Sequence, residues 1–231
     1  MSISPNIAKV ASLVSETSRA AILTTLLDNR FHTASELAYQ AGIKQQTASF
    51  HLAKLAELNM VTIESQGRHR YYRLANSEIA QILESLLALS PPVEIKSLRQ
   101  STEMKALKSA RTCYDHLAGK LGVNLTKSLL NMGYIKEDYK EFIVTENGKQ
   151  FFSEFQIDIE QLKRKKRKFS LKCIDWSERH YHLGGALGNA ILERMLELNW
   201  IKRHPTSRAI IITEIGSREL EVVFPSINFE K

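Results

Sequence analysis

Between Ser18 and Leu74 the chain strings together helix, turn and strand signals in an order that few folds accept. Ala20-Ala21-Ile22-Leu23 to Leu27 repeats apolar residues at helical intervals and stops at Asp28-Asn29-Arg30. Thr33-Ala34-Ser35-Glu36-Leu37-Ala38 then opens a second helix with Thr33 or Ser35 as its cap, and Gly42 supplies a sharp turn. From Lys44 to Leu55 a third helix places Ala48, Leu52 and Leu55 at i, i+4, i+7 as one inward stripe. Gln45, Gln46, Thr47, Ser49 and His51 are left to other faces, with Lys54 a turn further on. Val61-Thr62-Ile63-Glu64 and Tyr71-Tyr72-Arg73-Leu74 read as the strands of a hairpin whose tip, Ser65 to Arg70, holds a Gly and two Arg. Helix, helix, turn, helix and hairpin in this order make a winged helix-turn-helix.

Amides and hydroxyls on the third helix match base edges. Gln pairs in bidentate fashion with adenine in the major groove, and the first turns of the second helix of a helix-turn-helix reach the bases. Arg68, His69 and Arg70 at the hairpin tip suit phosphates or a minor groove. Gly42-Ile43, the Gln-Thr-Ser helix ending in His51-Leu52, Leu55, the Gly-Arg wing and Tyr71-Tyr72-Arg73-Leu74 together resemble the ArsR/SmtB transcriptional regulators. The resemblance covers roughly the first 90 residues, one domain's worth. It implies a dimeric repressor that leaves its operator when a metal or other effector arrives. The dimer contact would come from the first helix and the helix after the wing, here Ile3 to Val14 and Ile79 to Leu89. Phe50 departs from the family, in which that position is usually polar, often His. The metal sites depart further: Glu36-Leu37-Ala38-Tyr39-Gln40 has no thiol and Asn76 to Ile82 has no His, so neither standard sensor site carries over.

At 231 residues the chain is longer than one winged helix, and 43% hydrophobic residues suffice for two ordinary cores. A first domain, 1–92, for DNA binding and dimerisation is expected to end where Leu89-Ser90-Pro91-Pro92 stops the helix, and an effector or assembly domain, 93–231, to follow. No run has the length of a membrane span, and Met1-Ser2-Ile3-Ser4-Pro5 lacks the features of a secretory signal, so the expected location is cytoplasmic. The net charge of +7 equals the seven cations of the 163–172 run, Lys163 to Lys168 plus Lys172. Such a run either adds nonspecific phosphate contacts or forms a solvated face.

The second domain repeats itself. His116-Leu117-Ala118-Gly119-Lys120-Leu121-Gly122 returns as His182-Leu183-Gly184-Gly185-Ala186-Leu187-Gly188. Tyr134-Ile135-Lys136 returns as Trp200-Ile201-Lys202, and Val144-Thr145-Glu146-Asn147-Gly148 as Ile212-Thr213-Glu214-Ile215-Gly216. The repeats span about 111–160 and 171–224, each like the later part of a winged helix. The expected fold class is α+β, mostly helical: a winged helix-turn-helix followed by a duplicated winged-helix-like domain. Glycines on the repeat helices favour close backbone approach over base reading, and two such halves can enclose a site.

Both halves place a Cys ahead of the repeated His-Leu. Cys113 and His116 stand at i, i+3, read as one helical face, and Cys173 precedes His182 by a longer span. If the halves bring these four together they can hold zinc or another soft metal; a thiol redox sensor and plain core roles are the alternatives. Asp115, Asp175, Glu178 and Arg179, beside the histidines and Trp176, mix charge with aromatics as a small-molecule site does. No nucleotide-binding glycine loop or Rossmann-length series of strands is present, so an enzyme is not expected. The expected function is a sequence-specific DNA-binding regulator, a dimeric repressor released by an effector sensed in the second domain. The alternatives are a constitutive architectural DNA-binding protein or a cofactor-free enzyme with a winged-helix dimerisation domain.

Overall fold

The structure, a computed structural model, describes residues 6–225 and residue 227. About half the chain is helical, with five small sheets among the described residues. It divides into two compact units, Met1–Leu83 and Glu84–Lys231. The division falls inside a helix, ahead of the Ser90-Pro91-Pro92 segment.

Unit 1 runs α1 (Ile7–Val14), α2 (Thr17–Thr25), β1 (His32–Thr33), α3 (Ala34–Ala41), α4 (Gln45–Glu57), β2 (Val61–Gln66) and β3 (His69–Leu74), then enters α5 (Ser77–Leu89), which continues into unit 2. Ile3, expected in the first helix, lies outside the described residues. Thr33 is the N-cap of α3 in a capping box: its hydroxyl accepts from the Glu36 N–H while the Glu36 carboxylate accepts from the Thr33 N–H at 2.7 Å. The helix ends at Gly42, whose φ of +65° is the left-handed conformation that closes it and redirects the chain into α4. Ala48, Leu52 and Leu55 of α4 are fully buried, as are Ile22 and Leu23 of α2 and Leu37 of α3, the helices on which α4 packs. The sheet has the order β1-β3-β2. The β2–β3 register runs from Val61 opposite Leu74 to Gln66 opposite His69, so Gly67 and Arg68 form the two-residue tip.

Unit 2 continues with α6 (Leu98–Ser109) and then traces one series of elements twice. The first is β4 (Arg111–Cys113), β5 (His116–Ala118), α7 (Gly119–Asn131), β6 (Ile135–Glu137), β7 (Phe142–Val144) and α8 (Glu146–Glu154), followed by α9 (Ile159–Lys163). The second is β8 (Leu171–Ile174), β9 (Tyr181–Gly184), α10 (Gly185–Glu197), β10 (Ile201–Arg203), β11 (Ile210–Ile212) and α11 (Glu214–Val223). In both, a strand turns straight into a helix through a glycine with positive φ, +74° at Gly119 and +78° at Gly185, where a side chain would be strained. One core joins the halves, with Leu121, Leu125 and Leu129 of α7 in the same cluster as Leu187, Ile191 and Met195 of α10.

The basic run is not one solvated stripe. Arg167 turns in to Asp115, Lys172 pairs with Glu137 and Lys163 with Glu160, while Arg164, Lys165, Lys166 and Lys168 are exposed. No helix among the described residues is long and apolar enough to cross a membrane.

Candidate functional site

In unit 1, the first two turns of α4 carry Gln45, Gln46, Thr47 and Ser49 exposed, with Lys54 further along the helix. Arg68, His69 and Arg70 are exposed at the wing tip. The exposed Phe50 ring sits under the Lys54 ammonium, 4.3 Å from its centroid.

His51 does not join this face. It is 6% exposed and held in the interior: Arg19 Nη1 donates to its Nδ1 at 3.3 Å, and its Nε2–H donates to Glu16 at 3.3 Å. The neutral imidazole with its proton on Nε2 satisfies both partners at once. Arg19 also donates to the Leu13 carbonyl at 2.9 Å and the Ser12 carbonyl at 2.7 Å, closing the α1 end onto α2. His51 is therefore a packing residue of α4 and not the exposed base-contact residue expected from the sequence.

In unit 2, Cys113, His116, Cys173 and His182 come together, with one donor atom of each within 4.8 Å of all the others. The two sulfurs are 3.7 Å apart and the two Nε2 atoms 3.2 Å apart. Cys113 and His116 do not share a helical face. They stand opposite each other across β4 and β5, joined by the tight turn Tyr114-Asp115, in which Tyr114 takes a φ of +60°. Cys173 and His182 occupy the same relation across β8 and β9. In the second half the loop between the strands is Asp175 to His180, and those extra residues, not a different geometry, set Cys173 further from its histidine in the sequence.

Each histidine has an aspartate behind it. Asp115 Oδ1 is 3.3 Å from His116 Nδ1, and Asp175 Oδ2 is 3.6 Å from His182 Nδ1. Burial pushes the Asp115 carboxyl up, but hydrogen bonds from His116 and from Arg167, whose Nη1 lies 2.5 Å from Oδ2, outweigh it and hold the group below its usual pKa. Asp175 is fully buried, and its Oδ2 accepts from Arg111 Nη2 at 2.8 Å and from the Gly119 N–H at 2.7 Å. Its Oδ1 accepts from the Ser177 N–H at 2.9 Å, the Ser177 hydroxyl at 2.7 Å and the Glu178 N–H at 3.0 Å. Against the upward push of burial, the Arg111 charge and these donors place Asp175 well below the carboxylate range. The neighbouring Cys173 thiol and burial raise the Cys113 thiol well above its usual value. For His116, burial disfavours the charged ring while Cys113 and Asp115 favour it, and the balance is upward.

The remaining members of the expected small-molecule cluster serve the frame. The Arg111 guanidinium lies 4.3 Å over the Trp176 ring; Glu178 gives its N–H to Asp175; Arg179, at φ +58°, donates to the Ala88 carbonyl at 2.7 Å. Arg111 and Arg179 thus point their guanidinium groups at neighbouring protein groups. A groove on unit 2 lies elsewhere, beside α8 and α9, lined by Lys149, Ser153, Gln156, Asp158 and Glu160. Sequence reading missed Arg111 and Arg167, the two cations that neutralise the buried aspartates. Arg167 was hidden among the cations of the basic run, and nothing local marks Arg111 except its place two residues ahead of Cys113.

A helix-turn-helix domain family matches residues 14–64. The uncharacterized HTH-type transcriptional regulator YdfF of Bacillus subtilis (strain 168) is 53% identical over 217 residues, 94% of this chain and 96% of its own length. Among solved structures, the transcriptional repressor BigR from Xylella fastidiosa is 26% identical, covering 38% of this chain and 88% of its own with a TM-score of 0.35. The cadmium metal-sensor CMTR from Mycobacterium tuberculosis is 28% identical, covering 39% and 93% with a TM-score of 0.32. The alignment with YdfF runs through both units, and α3, Gly42 and α4 lie within the matched helix-turn-helix region, so the chain belongs to the HTH-type transcriptional regulators.

Proposed function

We propose that this transcriptional regulator is a dimeric repressor that reads a partly palindromic DNA site with α4 and the wing and is released when an effector acts on unit 2. The observation that carries the DNA surface is the split on α4: Gln45, Gln46, Thr47 and Ser49 are exposed at its first turns while Ala48, Leu52 and Leu55 are fully buried. That split supports these four as the residues that reach base edges in a major groove. Arg68, His69 and Arg70 then meet the flanking backbone or minor groove, and Lys54 adds a phosphate contact. Dimerisation is supported by apolar residues standing exposed on the flanking helices, Ile7 and Val10 on α1 and Ile82, Leu86 and Leu89 on α5. The second domain, read as a duplicated winged-helix-like domain over residues 93–231 within unit 2, supplies the effector half because it holds the largely buried Cys-His cluster.

The test uses a duplex selected by this protein from random sequence, beside an unrelated duplex, with fluorescence anisotropy over a range of salt. Gln46→Ala is expected to weaken the selected site by about 1–3 kcal/mol while leaving the unrelated duplex nearly unchanged. Arg68→Ala is expected to weaken both and to lower the salt slope by about 1. Wild-type binding by both variants would refute the assigned surface.

A further inference from the structure

The geometry points to a tetrahedral site for a divalent metal of the zinc class in unit 2, held by Cys113, His116, Cys173 and His182, which deepens the effector reading above. With zinc-to-sulfur bonds of about 2.3 Å and zinc-to-nitrogen bonds of about 2.0–2.1 Å, a regular tetrahedron separates two sulfurs by about 3.8 Å and two nitrogens by about 3.3 Å. The observed separations are 3.7 Å for the sulfurs and 3.2 Å for the two Nε2 atoms. Both like-atom edges of the polyhedron are therefore in place, and the mixed edges lie within 4.8 Å.

Three further features fit an ion there. First, a ligating histidine commonly presents one nitrogen to the metal and gives the N–H of the other to a carboxylate. Asp115 and Asp175 stand behind the two Nδ1 atoms, and both histidines turn Nε2 inward. His182 Nδ1 is buried and makes no hydrogen bond, since Asp175 lies just beyond reach, so a small ring rotation towards a bound ion completes that pair. Second, the charges balance. Two thiolates and two neutral imidazoles around a dication sum to zero, and the nearby buried ions are already paired: Asp115 with Arg167, Asp175 with Arg111, Glu84 with Arg208. Third, the seat is shaped. A Cβ on Gly184 would meet His116 Nε2 at 3.1 Å and Cε1 at 3.2 Å, so glycine there leaves the ring its place.

The ligands come in pairs from the two hairpins, so the ion joins the first half of unit 2 to the second. Uptake displaces both thiol protons to solvent, together with any proton held between the two Nε2 atoms. None of the four ligands lies on α3 or α5, the two helices where the ArsR/SmtB resemblance would place a sensor metal.

The experiment takes the full chain, purified with reductant and stripped with a chelator, and titrates it with Co²⁺ while visible absorption is recorded. The expected result is one Co²⁺ per chain, the intense bands of a tetrahedral ion with thiolate charge transfer, and stoichiometric displacement by Zn²⁺. Cys113→Ser and His182→Gln are each expected to weaken uptake at least tenfold, with the sulfur band reduced in the first. A weak octahedral spectrum from the reduced wild-type chain overturns the proposal whether or not the variants fold. So does unaltered Co²⁺ uptake in Cys113→Ser/Cys173→Ser, or a thiol pair that only closes to a disulfide and never takes up the ion. DNA binding measured on the same samples separates this site from the effector reading. Tetrahedral Co²⁺ with unchanged DNA affinity upholds the site and removes its effector role. DNA release by some other ligand, with no Co²⁺ uptake, overturns the site and leaves the effector reading standing.

Discussion

Asp175→Ala is expected to lower the stability of unit 2 by about 3–5 kcal/mol, the loss typical when one partner of a buried ion pair is removed. Asp175 and Arg111 are both fully buried. The carboxylate accepts from five donors, among them the Arg111 guanidinium and the Gly119 N–H that opens α7. The alanine variant leaves Arg111 charged in the interior against the face of Trp176. Both tryptophans, Trp176 and Trp200, belong to unit 2, so denaturant unfolding followed by tryptophan fluorescence reports that unit alone. A loss below about 1 kcal/mol, the range of an exposed pair, would show that the buried pair does not carry this weight.

The same carboxylate gives stability a pH dependence of known sign. Its folded pKa lies below the unfolded value of about 3.9. The contribution is therefore complete above the unfolded value and drains away as pH falls through that value towards the folded one. Acid titration of the wild-type chain should show this limb, and Asp175→Asn should flatten it.

Gly216→Ala is expected to cost about 3 kcal/mol or more. The added Cβ would lie 1.8 Å from the Trp200 carbonyl oxygen and 2.5 Å from its carbon, and backbone at the start of a paired strand cannot move aside as a flexible side chain can. The reason for the contact is local: Thr213 caps α11, its hydroxyl accepting from the Gly216 N–H and donating to the Asn199 carbonyl, which draws the first turn of the helix onto the hairpin. Gly148 repeats the arrangement beneath Thr145, with a Cβ 1.9 Å from the Tyr134 carbonyl oxygen. Gly148→Ala should therefore fail alongside Gly216→Ala. Gly133→Ala, which meets nothing within 4 Å, should cost only the strain of its φ of +68°, about 1–2 kcal/mol. If Gly216→Ala unfolds at the wild-type denaturant concentration, the close approach is wrong.

Legibility in the sequence followed contact range. The α3-turn-α4 series rests on local signals, a capping threonine, a turn glycine and an apolar stripe, and all are found where the spacing puts them. His51 is the exception, because its residue type suggests a base contact. Its position does not: Ala48, His51, Leu52 and Leu55 stand at i, i+3, i+4, i+7, so the same stripe turns it inward, to an arginine 32 residues away that no local pattern reveals. In unit 2 the repeated His-Leu and Thr-x-x-Gly segments were legible. The geometry of Cys113 and His116 was not, because a helix and a tight hairpin both bring residues i and i+3 together. Cys173 and His182 were harder still, since their adjacency depends on strand pairing across a loop whose length the other half does not share.

The cross-pairing of buried charges has a consequence for how the chain is made. Asp115 is neutralised by Arg167, Arg111 by Asp175, and Glu84 by Arg208, each partner lying well downstream. As the polypeptide leaves the ribosome, Glu84 of α5 and Arg111 and Asp115 of the leading hairpin emerge ahead of these partners, and burying them unpaired would cost several kcal/mol per ion. The leading half is therefore expected to close only when the trailing half supplies those partners. Cutting the chain between the repeats is therefore expected to leave Arg111 and Asp115 without the partners that let them be buried, which limited proteolysis of the shortened chain would check.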